Sequence, residues 1–270
     1  MSSLFVRTAL FVPGNRPERF AKALASGADA VIIDLEDAVP SAEKAAARQH
    51  LAQFILWNRD VQLLVRINAT GTVEHEADLE VCRQHPDVVG IMLPKAESAA
   101  QVSHVAASGK AVWPIIESAR GMLSITEIAA CTGVQRLTFG ALDLALDLGL
   151  KAGSPAAETV FDQTRFALLL HSRVNDLQPP LDSVYPNFED DTGLANAMRR
   201  GRDMGMAGAL CIHPRQVNVV HSALAPSAEE KAWAQRIVSA AESGEAAFKV
   251  DGEMVDAPVL GRARRLLAIN

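Results

Sequence analysis

The sequence predicts an α/β fold, a (β/α)8 TIM barrel with a C-terminal helical tail. Short apolar runs alternate with helical patterns, about 25 residues apart, and eight such units can be counted. The runs are rich in Val, Ile and Leu, as parallel strands buried on both faces require. Polar residues follow these runs repeatedly, at the strand ends where barrel proteins carry their function. We expect residues 1–225 to form the barrel and residues 226–270 to form a tail that packs on it or on a neighbouring subunit.

The predicted strands and helices follow from the hydrophobic periodicity and the turn residues. The strands are Arg7–Val12, Ala30–Leu35, Gln62–Ile67, Val88–Leu93, Ala111–Ile116, Leu137–Leu142, Pro180–Val184 and Ala207–Ile212. The helices are Glu18–Ser26, Ser41–Trp57 with Ser41 as N-cap, Glu74–His85, Ser98–Ala107, one after Glu117, Glu158–Asp176, Leu194–Met204, one from near Gln216, Ser227–Gly244 and Gly261–Ile269. A doubly wound nucleotide-binding fold is the alternative, but neither GxGxxG nor GxxxxGK[ST] is present to support it.

Composition narrows the class of function. The chain is 49% hydrophobic but only 5% aromatic, and its net charge is −6. These values argue against a nucleic-acid or membrane-surface binder. The cysteines at 82, 131 and 211 form no CxxC pair, and we expect them to be small buried residues of a reducing compartment. Since we find neither a signal peptide nor a membrane span, we expect a cytoplasmic protein.

Two carboxylates end neighbouring strands of the predicted barrel. Glu117 follows the run 111–116, and Asp143 follows the run 137–142. An unpaired charge is costly to bury, and two carboxylates at the same end of a sheet could share Mg²⁺, which prefers oxygen ligands. Alternatively, each carboxylate caps the helix that follows it. For the pair we favour a metal site.

Three acids stand together at the end of the second strand, namely Asp34, Glu36 and Asp37. Acids this close repel one another unless a cation or hydrogen-bond donors offset them, so we interpret them as a functional cluster. Arg66 interrupts the third strand near its end, and its guanidinium fork needs a planar anion. That anion is either an internal carboxylate or a substrate.

Two further polar patterns are less specific. Arg16, Arg19 and Lys22 lie at the start and along one side of the first predicted helix, where they form either a phosphate site or a solvated basic face. The sequence HEAD at His75–Asp78 departs from HExxH, and we therefore predict no zinc site from it.

Six motifs together resemble the citrate lyase β-subunit-like branch of the HpcH/HpaI aldolase family. They are PGNRPERFAKAL, GADAVIIDLEDAVP, LLVRIN, IMLPKAES, PIIESARG and LTFGALDLALDLG. The similarity runs from Arg7 to about Pro214 and continues in the tail segment DGEMVDAPVL. The resemblance implies a Mg²⁺-dependent lyase for CoA thioesters such as malyl-, citramalyl- or citryl-CoA, working as a homotrimer or another homo-oligomer.

The resemblance also implies roles for individual residues. Glu117 and Asp143 would bind Mg²⁺, and Asp37, with Glu36 more loosely, would hold metal-bound water. Arg66 would bind the carboxylate of the 2-oxo acid and face the developing negative oxygen. The side chains that would bind the CoA phosphates are Arg16 and Lys22, and the acid/base from a neighbouring subunit would be Asp256.

Three functions remain open on the sequence. The favoured one is a lyase that cleaves a 3-hydroxyacyl-CoA thioester to acetyl-CoA and a 2-oxo acid, a reaction that thioester hydrolysis could follow. The second is a class II aldolase acting on free hydroxy-oxo acids, for which Arg16, Lys22 and Asp256 would be dispensable. The third is a lyase subunit that is inactive without an acyl-carrier partner.

Overall fold

A closed barrel of eight parallel strands forms the centre of the molecule and confirms the predicted fold class. The computed structural model describes residues 6–58, 61–241 and 247–267. The barrel strands are β1 (Thr8–Pro13), β2 (Ala30–Asp34), β3 (Leu63–Arg66), β4 (Val88–Leu93), β5 (Ala111–Ile116), β6 (Arg136–Phe139), β7 (Gln178–Asp182) and β8 (Gly208–Cys211). Each strand pairs with its neighbours in chain order, and β1 pairs with β8 to close the ring.

Helices separate successive strands along the chain. They are α1 (Phe20–Leu24), α2 (Lys44–Trp57), α3 (His75–Gln84), α4 (Ala99–Ala106), α5 (Ala119–Leu123), α6 (Ile125–Ala129), α7 (Ala141–Asp147), α8 (Pro155–Val174), α9 (Asp191–Met204) and α10 (Pro214–Leu224). Capping residues in the sequence explain where several helices begin. Ser98 accepts a hydrogen bond from the Gln101 amide at α4, and Ser154 caps α8, which has Pro155 at its first position.

Aliphatic side chains fill one buried cluster of the barrel. Its fully or almost fully buried members include Ala9, Ile32, Leu64, Met92, Trp113, Ile115, Leu181 and Leu210. Trp113 and Ile115 are two residues apart on β5 and therefore point to the same face of the strand. The indole of Trp113 donates a hydrogen bond to Gln135 Oε1 at 2.7 Å, which satisfies its one polar group. An aromatic-poor sequence thus still packs a full interior.

The predicted bounds of β6 and β7 were wrong: β7 is Gln178–Asp182 rather than Pro180–Val184, and the difference at β6 matters for the site. The run 137–142 does not continue as a strand, because β6 ends at Phe139 and α7 begins at Ala141. The Ala141 amide donates to Ser183 Oγ at 2.8 Å and so leaves the strand ladder. Asp143 consequently lies in the first turn of α7 rather than directly at a strand end.

Two helix predictions also need correction. The single helix expected after Glu117 is two short helices, α5 and α6, which meet at Ser124. Ser41 is not an N-cap, because it is the first residue of a 3₁₀ turn that precedes α2, and Pro40 stands before it with no side-chain cap. The Pro fixes an extended backbone there, so the chain enters the helix through a tighter turn.

The chain divides into two compact units, Met1–Ala223 and the C-terminal segment Leu224–Asn270. The elements of this segment are α11 (Ala228–Ala240), β9 (Phe248–Val250), β10 (Glu253–Val255) and α12 (Ala257–Leu267). The two strands form an antiparallel hairpin, and its turn, predicted at Asp251-Gly252, has both residues at positive φ. The predicted helix ends at Gly244 and Ile269 lie outside the described residues.

The cysteines follow the expected burial in part. Cys82 and Cys211 are buried, Cys131 is half-buried, and all three are free thiols. Burial raises the pKa of the Cys211 thiol to about 12, so this group is an inert core residue. Among the helices of the described residues, none is both long enough and apolar enough to cross a bilayer.

Candidate active site

A cavity of about 360 Å³ opens where the barrel strands end at their carboxyl termini. Its charged lining comprises Asp34, Asp37, Arg66, Glu117 and Asp143, and its apolar lining includes Phe11, Ile115, Phe139, Leu142 and Leu210. Four residues predicted for the site, together with Asp34 of the predicted acid cluster, therefore line this one cavity. A cavity of this size with a few convergent charges is typical of a small-molecule site.

Glu117 is a buried acid of the cavity, at 4% exposure. Its Oε1 accepts a hydrogen bond from the Lys95 amide at 2.7 Å. Lys95 lies in the left-handed region, with φ of 48°, a conformation that non-glycine residues adopt rarely and mainly at functional sites. Oε2 points toward Gly140, where an added Cβ would lie only 2.2 Å from it. The second oxygen is thus held close to the start of α7.

Electrostatics make the ionised form of Glu117 unfavourable without a cation. Burial, aided by the negative charges of Glu36 and Asp143, raises the pKa of its carboxyl to about 8 against the lowering effect of the Lys95 amide. Within the described part of the chain, the Asp143 carboxylate has no hydrogen-bond or ion-pair partner. Two oxygen-donor acids that repel each other beside an open cavity fit a hard divalent cation such as Mg²⁺.

The guanidinium of Arg66 is paired with an internal carboxylate, which is one of the two anions expected for it, the other being a substrate. Its Nε and Nη2 donate to the two carboxylate oxygens of Asp34 at 2.8 and 2.6 Å. The parallel register places Asp34 directly beside Arg66 on the neighbouring strand, which explains this bidentate pair. Burial alone would lower the pKa of Arg66, but the charge and hydrogen bonds of Asp34, together with the charges of Glu36 and Asp37, outweigh it and raise that pKa.

The Arg66 guanidinium also faces the other two acids of the loop after β2. Its Nη1 lies 3.0 Å from Glu36 and 3.4 Å from Asp37. The guanidinium also lies over the ring of Phe11, 4.9 Å from its centroid, which holds the plane of the fork. Asp34 accepts one N–H from Nε and one from Nη2, so Nη1 and the second N–H of Nη2 are the groups that could contact an anion without breaking this pair.

The three acids of the cluster after β2 differ in their burial and in their contacts. Asp34 accepts hydrogen bonds from the amides of Glu36 and Ala38, at 2.9 and 3.2 Å, and thereby shapes the loop after β2. Glu36 is buried, and burial raises the pKa of its carboxyl despite the nearby Arg66. Asp37 is the exposed member, with its side chain 58% accessible. Asp37 is thus the acid of this loop that water reaches most easily.

Lys95 is a residue to which the sequence pattern assigned no role, although it follows a strand. Its ammonium contacts Glu36 Oε1 at 3.0 Å, while its amide binds Glu117. Burial lowers the pKa of Lys95, but the charge and hydrogen bond of Glu36, with the charges of Glu117 and Asp37, together outweigh this and raise it, so the side chain stays cationic. One residue therefore links the acids of β2 to the acid of β5. The sequence signal that could have identified Lys95 is its position as a polar residue shortly after a buried strand.

Three predicted residues lie elsewhere. Arg16 and Lys22 are exposed and are not among the cavity residues, and Arg16 makes only a loose contact of 3.9 Å with Glu18. The helix expected to begin at Glu18 is a 3₁₀ turn, Pro17–Arg19, followed by the short α1. Asp256 belongs to the second unit, where its Oδ1 accepts a hydrogen bond from the Val259 amide at 3.3 Å at the start of α12.

Comparisons with known proteins agree with this architecture. The family model of HpcH/HpaI aldolase/citrate lyase matches residues 7–214. The chain belongs to this family. A citrate lyase subunit beta-like protein from Mycobacterium tuberculosis is 41% identical over 262 residues, which cover 96% of this chain and 93% of the relative. A (3S)-malyl-CoA thioesterase from Cereibacter sphaeroides is 35% identical over 272 residues, covering 97% and 93% of the two chains.

A solved structure is also similar over nearly the whole chain. It is the protein CitE from Mycobacterium tuberculosis in complex with magnesium, acetoacetate and coenzyme A. The TM-score is 0.88 at 40% identity, and the match covers 97% of each chain. The predicted family and the predicted enzyme class, a lyase of the citrate lyase β-like kind, are therefore confirmed.

Proposed function

We propose that the protein is a Mg²⁺-dependent lyase that cleaves a 3-hydroxyacyl-CoA thioester into acetyl-CoA and a 2-oxo acid. The observation that carries this proposal is the pair Glu117 and Asp143, two acids beside one cavity of which the first is buried with a raised pKa. The solved relative complexed with magnesium, acetoacetate and coenzyme A supports the choice of ion and of substrate class.

In this proposal Glu117 and Asp143 would hold the ion, Glu117 through the oxygen that faces Gly140. When bound, Mg²⁺ would polarise the hydroxyl and carboxylate oxygens of the substrate as a Lewis acid. Asp37, exposed at the rim, would hold a water molecule of the ion, with Glu36 behind it. These residues would position the substrate hydroxyl for loss of its proton, which lets the carbon–carbon bond break.

Arg66 would stabilise the charge that develops on the departing 2-oxo acid. Its Nη1 faces the acid side of the cavity, and the pair with Asp34 fixes the guanidinium in place before the reaction. A donor that needs no reorientation stabilises developing charge most effectively. Burial beside Phe11 strengthens this interaction, because the local dielectric is low.

The enolate carbon of acetyl-CoA must gain a proton after cleavage, and we propose Asp256 as its source. The chain would then work as a homotrimer or another homo-oligomer in which Asp256 serves a neighbouring subunit, with Arg16 and Lys22 binding the CoA phosphates. Mixed oligomers of Asp256→Asn and Asp143→Asn chains test this directly. Since each variant alone would be inactive, recovered turnover supports the shared site, and no recovery counts against it.

A second activity, thioester hydrolysis, is favoured by one observation, the 35% identity to a (3S)-malyl-CoA thioesterase. The same cavity could admit water as the second reactant. A mass-spectrometric screen separates the reactions, using purified protein, Mg²⁺ and malyl-, citramalyl- or citryl-CoA. Acetyl-CoA with a 2-oxo acid indicates the lyase, and free CoA with a hydroxy acid indicates the thioesterase. Cleavage of CoA-free hydroxy-oxo acids alone would instead indicate an aldolase.

Two variants test the metal assignment. Glu117→Gln and Asp143→Asn should each abolish Mg²⁺-dependent turnover while circular dichroism shows a folded chain. The matched control is Glu127→Gln, which removes an exposed acid on α6 and should leave turnover unchanged. Full activity of the unmodified enzyme in EDTA would contradict the metal assignment, as would activity in both cavity variants. If no CoA thioester reacts until an acyl-carrier protein is added, the chain is a lyase subunit.

A further inference from the structure

A cluster of two histidines and one glutamate lies on α3 and α4, apart from the cavity at the strand ends. His75 and Glu76 are the first two residues of α3, and His104 lies near the end of α4. Each offers one ligand atom, and these atoms all lie within 4.8 Å of one another. His104 Nε2 contacts Glu76 Oε1 at 2.8 Å, and the two imidazole rings stack with centroids 5.9 Å apart.

One ring nitrogen of His75 is buried without a hydrogen-bond partner among the described residues. His75 is 2% exposed, and its Nδ1 contacts the carbonyl oxygen of Asn68 at 2.8 Å. A carbonyl only accepts, so Nδ1 carries the hydrogen and the lone pair of the neutral ring sits on Nε2. Nε2 is buried and has no hydrogen-bond partner within the described structure. A buried acceptor left unpaired costs free energy, and such groups are rare unless an ion or water binds them.

We propose that His75, Glu76 and His104 form a second metal site, which binds Zn²⁺. Two imidazole nitrogens and one carboxylate oxygen are ligands that Zn²⁺ takes in tetrahedral geometry, with water in the fourth position. Mg²⁺ prefers oxygen ligands, and the nitrogen pair therefore discriminates against the ion proposed for the cavity. The carbonyl of Asn68 would orient the His75 ring, as an outer hydrogen-bond partner does for most zinc-bound histidines.

The geometry requires only side-chain adjustment. Zinc–ligand bonds of about 2.0–2.2 Å imply ligand atoms about 3.3 Å apart in a tetrahedron. Glu76 and His104 are exposed and can turn inward to that spacing, whereas His75 is held by its hydrogen bond to the backbone. The ion would replace the proton shared between His104 and Glu76. Because its ligands come from two helices, the site joins α3 to α4 and stabilises the fold.

Zinc binding is measurable without reference to turnover. The full chain is stripped with a chelator, dialysed into excess Mg²⁺ to fill the cavity site, and titrated with Zn²⁺ by calorimetry. We expect one Zn²⁺ per chain, and we expect Co²⁺ in its place to give the intense visible absorption of a tetrahedral site. The thermal unfolding midpoint should rise on Zn²⁺ addition, because a ligand that binds only the folded state stabilises it.

Three variants assign the binding to this cluster. His104→Gln alters a half-exposed side chain and should weaken Zn²⁺ binding by about tenfold or more. Glu76→Gln, at another exposed position, should also weaken it. The matched control is His171→Gln on α8, a histidine outside the cluster, which should bind Zn²⁺ as the unmodified chain does.

Several results would overturn the proposal. They are the absence of binding to the unmodified chain, unchanged affinity in both His104→Gln and Glu76→Gln, or equal loss in His171→Gln. Loss of Zn²⁺ binding in Asp143→Asn would place the ion in the cavity instead and would also overturn it. The lyase proposal does not depend on any of these outcomes, because they concern residues remote in sequence from its acids.

Discussion

Removing the charge of Glu117 should stabilise the metal-free protein at alkaline pH while it destroys the proposed metal site. Burial and nearby acids raise the pKa of Glu117 from 4.5 to about 8. Each pKa unit corresponds to about 1.4 kcal/mol, so the ionised carboxylate costs the folded state about 5 kcal/mol at most. Gln has the same shape and keeps an oxygen acceptor for the Lys95 amide.

The sign of the effect depends on pH. Below pH 4.5 Glu117 is neutral in the folded and the unfolded chain, so its charge contributes nothing. As the pH rises from 4.5 the unfolded chain loses this proton first, and the folded state loses stability until the folded group also ionises near pH 8. Glu117→Gln should therefore be more stable than the unmodified chain by about 3–5 kcal/mol above pH 8 and equally stable near pH 4.5.

Thermal unfolding in EDTA, followed by circular dichroism at several pH values, measures this difference. One kcal/mol shifts the midpoint of a chain of this size by about 2–4 °C, so a rise of roughly 10 °C is expected at pH 9. Glu127→Gln, the exposed control on α6, should show no such rise. Saturating Mg²⁺ should stabilise only the unmodified chain and so narrow the gap. A variant less stable than the unmodified chain at pH 9, or a gap independent of pH, would refute the reasoning.

Three other predictions concern packing around the cavity and the second unit. Gly140→Ala should weaken Mg²⁺ affinity by about tenfold or more in a calorimetric titration, because the new methyl group would displace the Glu117 carboxylate; unchanged affinity would contradict this geometry. Asp34→Asn should lower the free energy of unfolding by about 3–5 kcal/mol in urea, since it leaves the Arg66 guanidinium buried without its bidentate partner, and a loss below 1 kcal/mol would show that the pair is not structural. Ser227→Ala should cost about 1 kcal/mol in the same assay by removing half of the capping box at α11, whereas Ser227→Asp, which retains a cap acceptor, should cost less.

The barrel could be predicted from the sequence because its signal is repeated. Most strands are apolar runs, and β4 and β5 have the bounds that the pattern predicts, whereas β7, with the sequence QPPLD, lacks this signal. The end of β6 could not be found this way, because the residues at 140–142 are as apolar as the strand before them. Beyond the end of β6, the Ala141 amide donates a hydrogen bond to Ser183, the residue after β7. A hydrophobic pattern carries no information on such a tertiary contact.

The site residues illustrate the same limit. The acids and Arg66 could be placed at one end of the barrel, because parallel strands share their carboxyl ends. Whether Arg66 meets an internal acid or a substrate depends on the register between β2 and β3, which aligns it with Asp34. Sequence offers no measure of that register. The proposed zinc cluster has no sequence signal for a related reason, since its second histidine, His104, comes from another helix and no HExxH spacing results.

The distribution of charge across the cavity supports the proposed cation site on the side of β5 and α7. On the side of β2 and β3, the acids face protein cations, with Arg66 and Lys95 contacting the loop that carries Glu36. On the side of β5 and α7, Glu117 receives one backbone amide, and the Asp143 carboxylate has no partner within the described residues. Ionising both acids there is unfavourable by mutual repulsion as well as burial. A bound divalent ion would offset both the repulsion and the cost of burial. Metal binding should therefore stabilise the folded chain most strongly at alkaline pH.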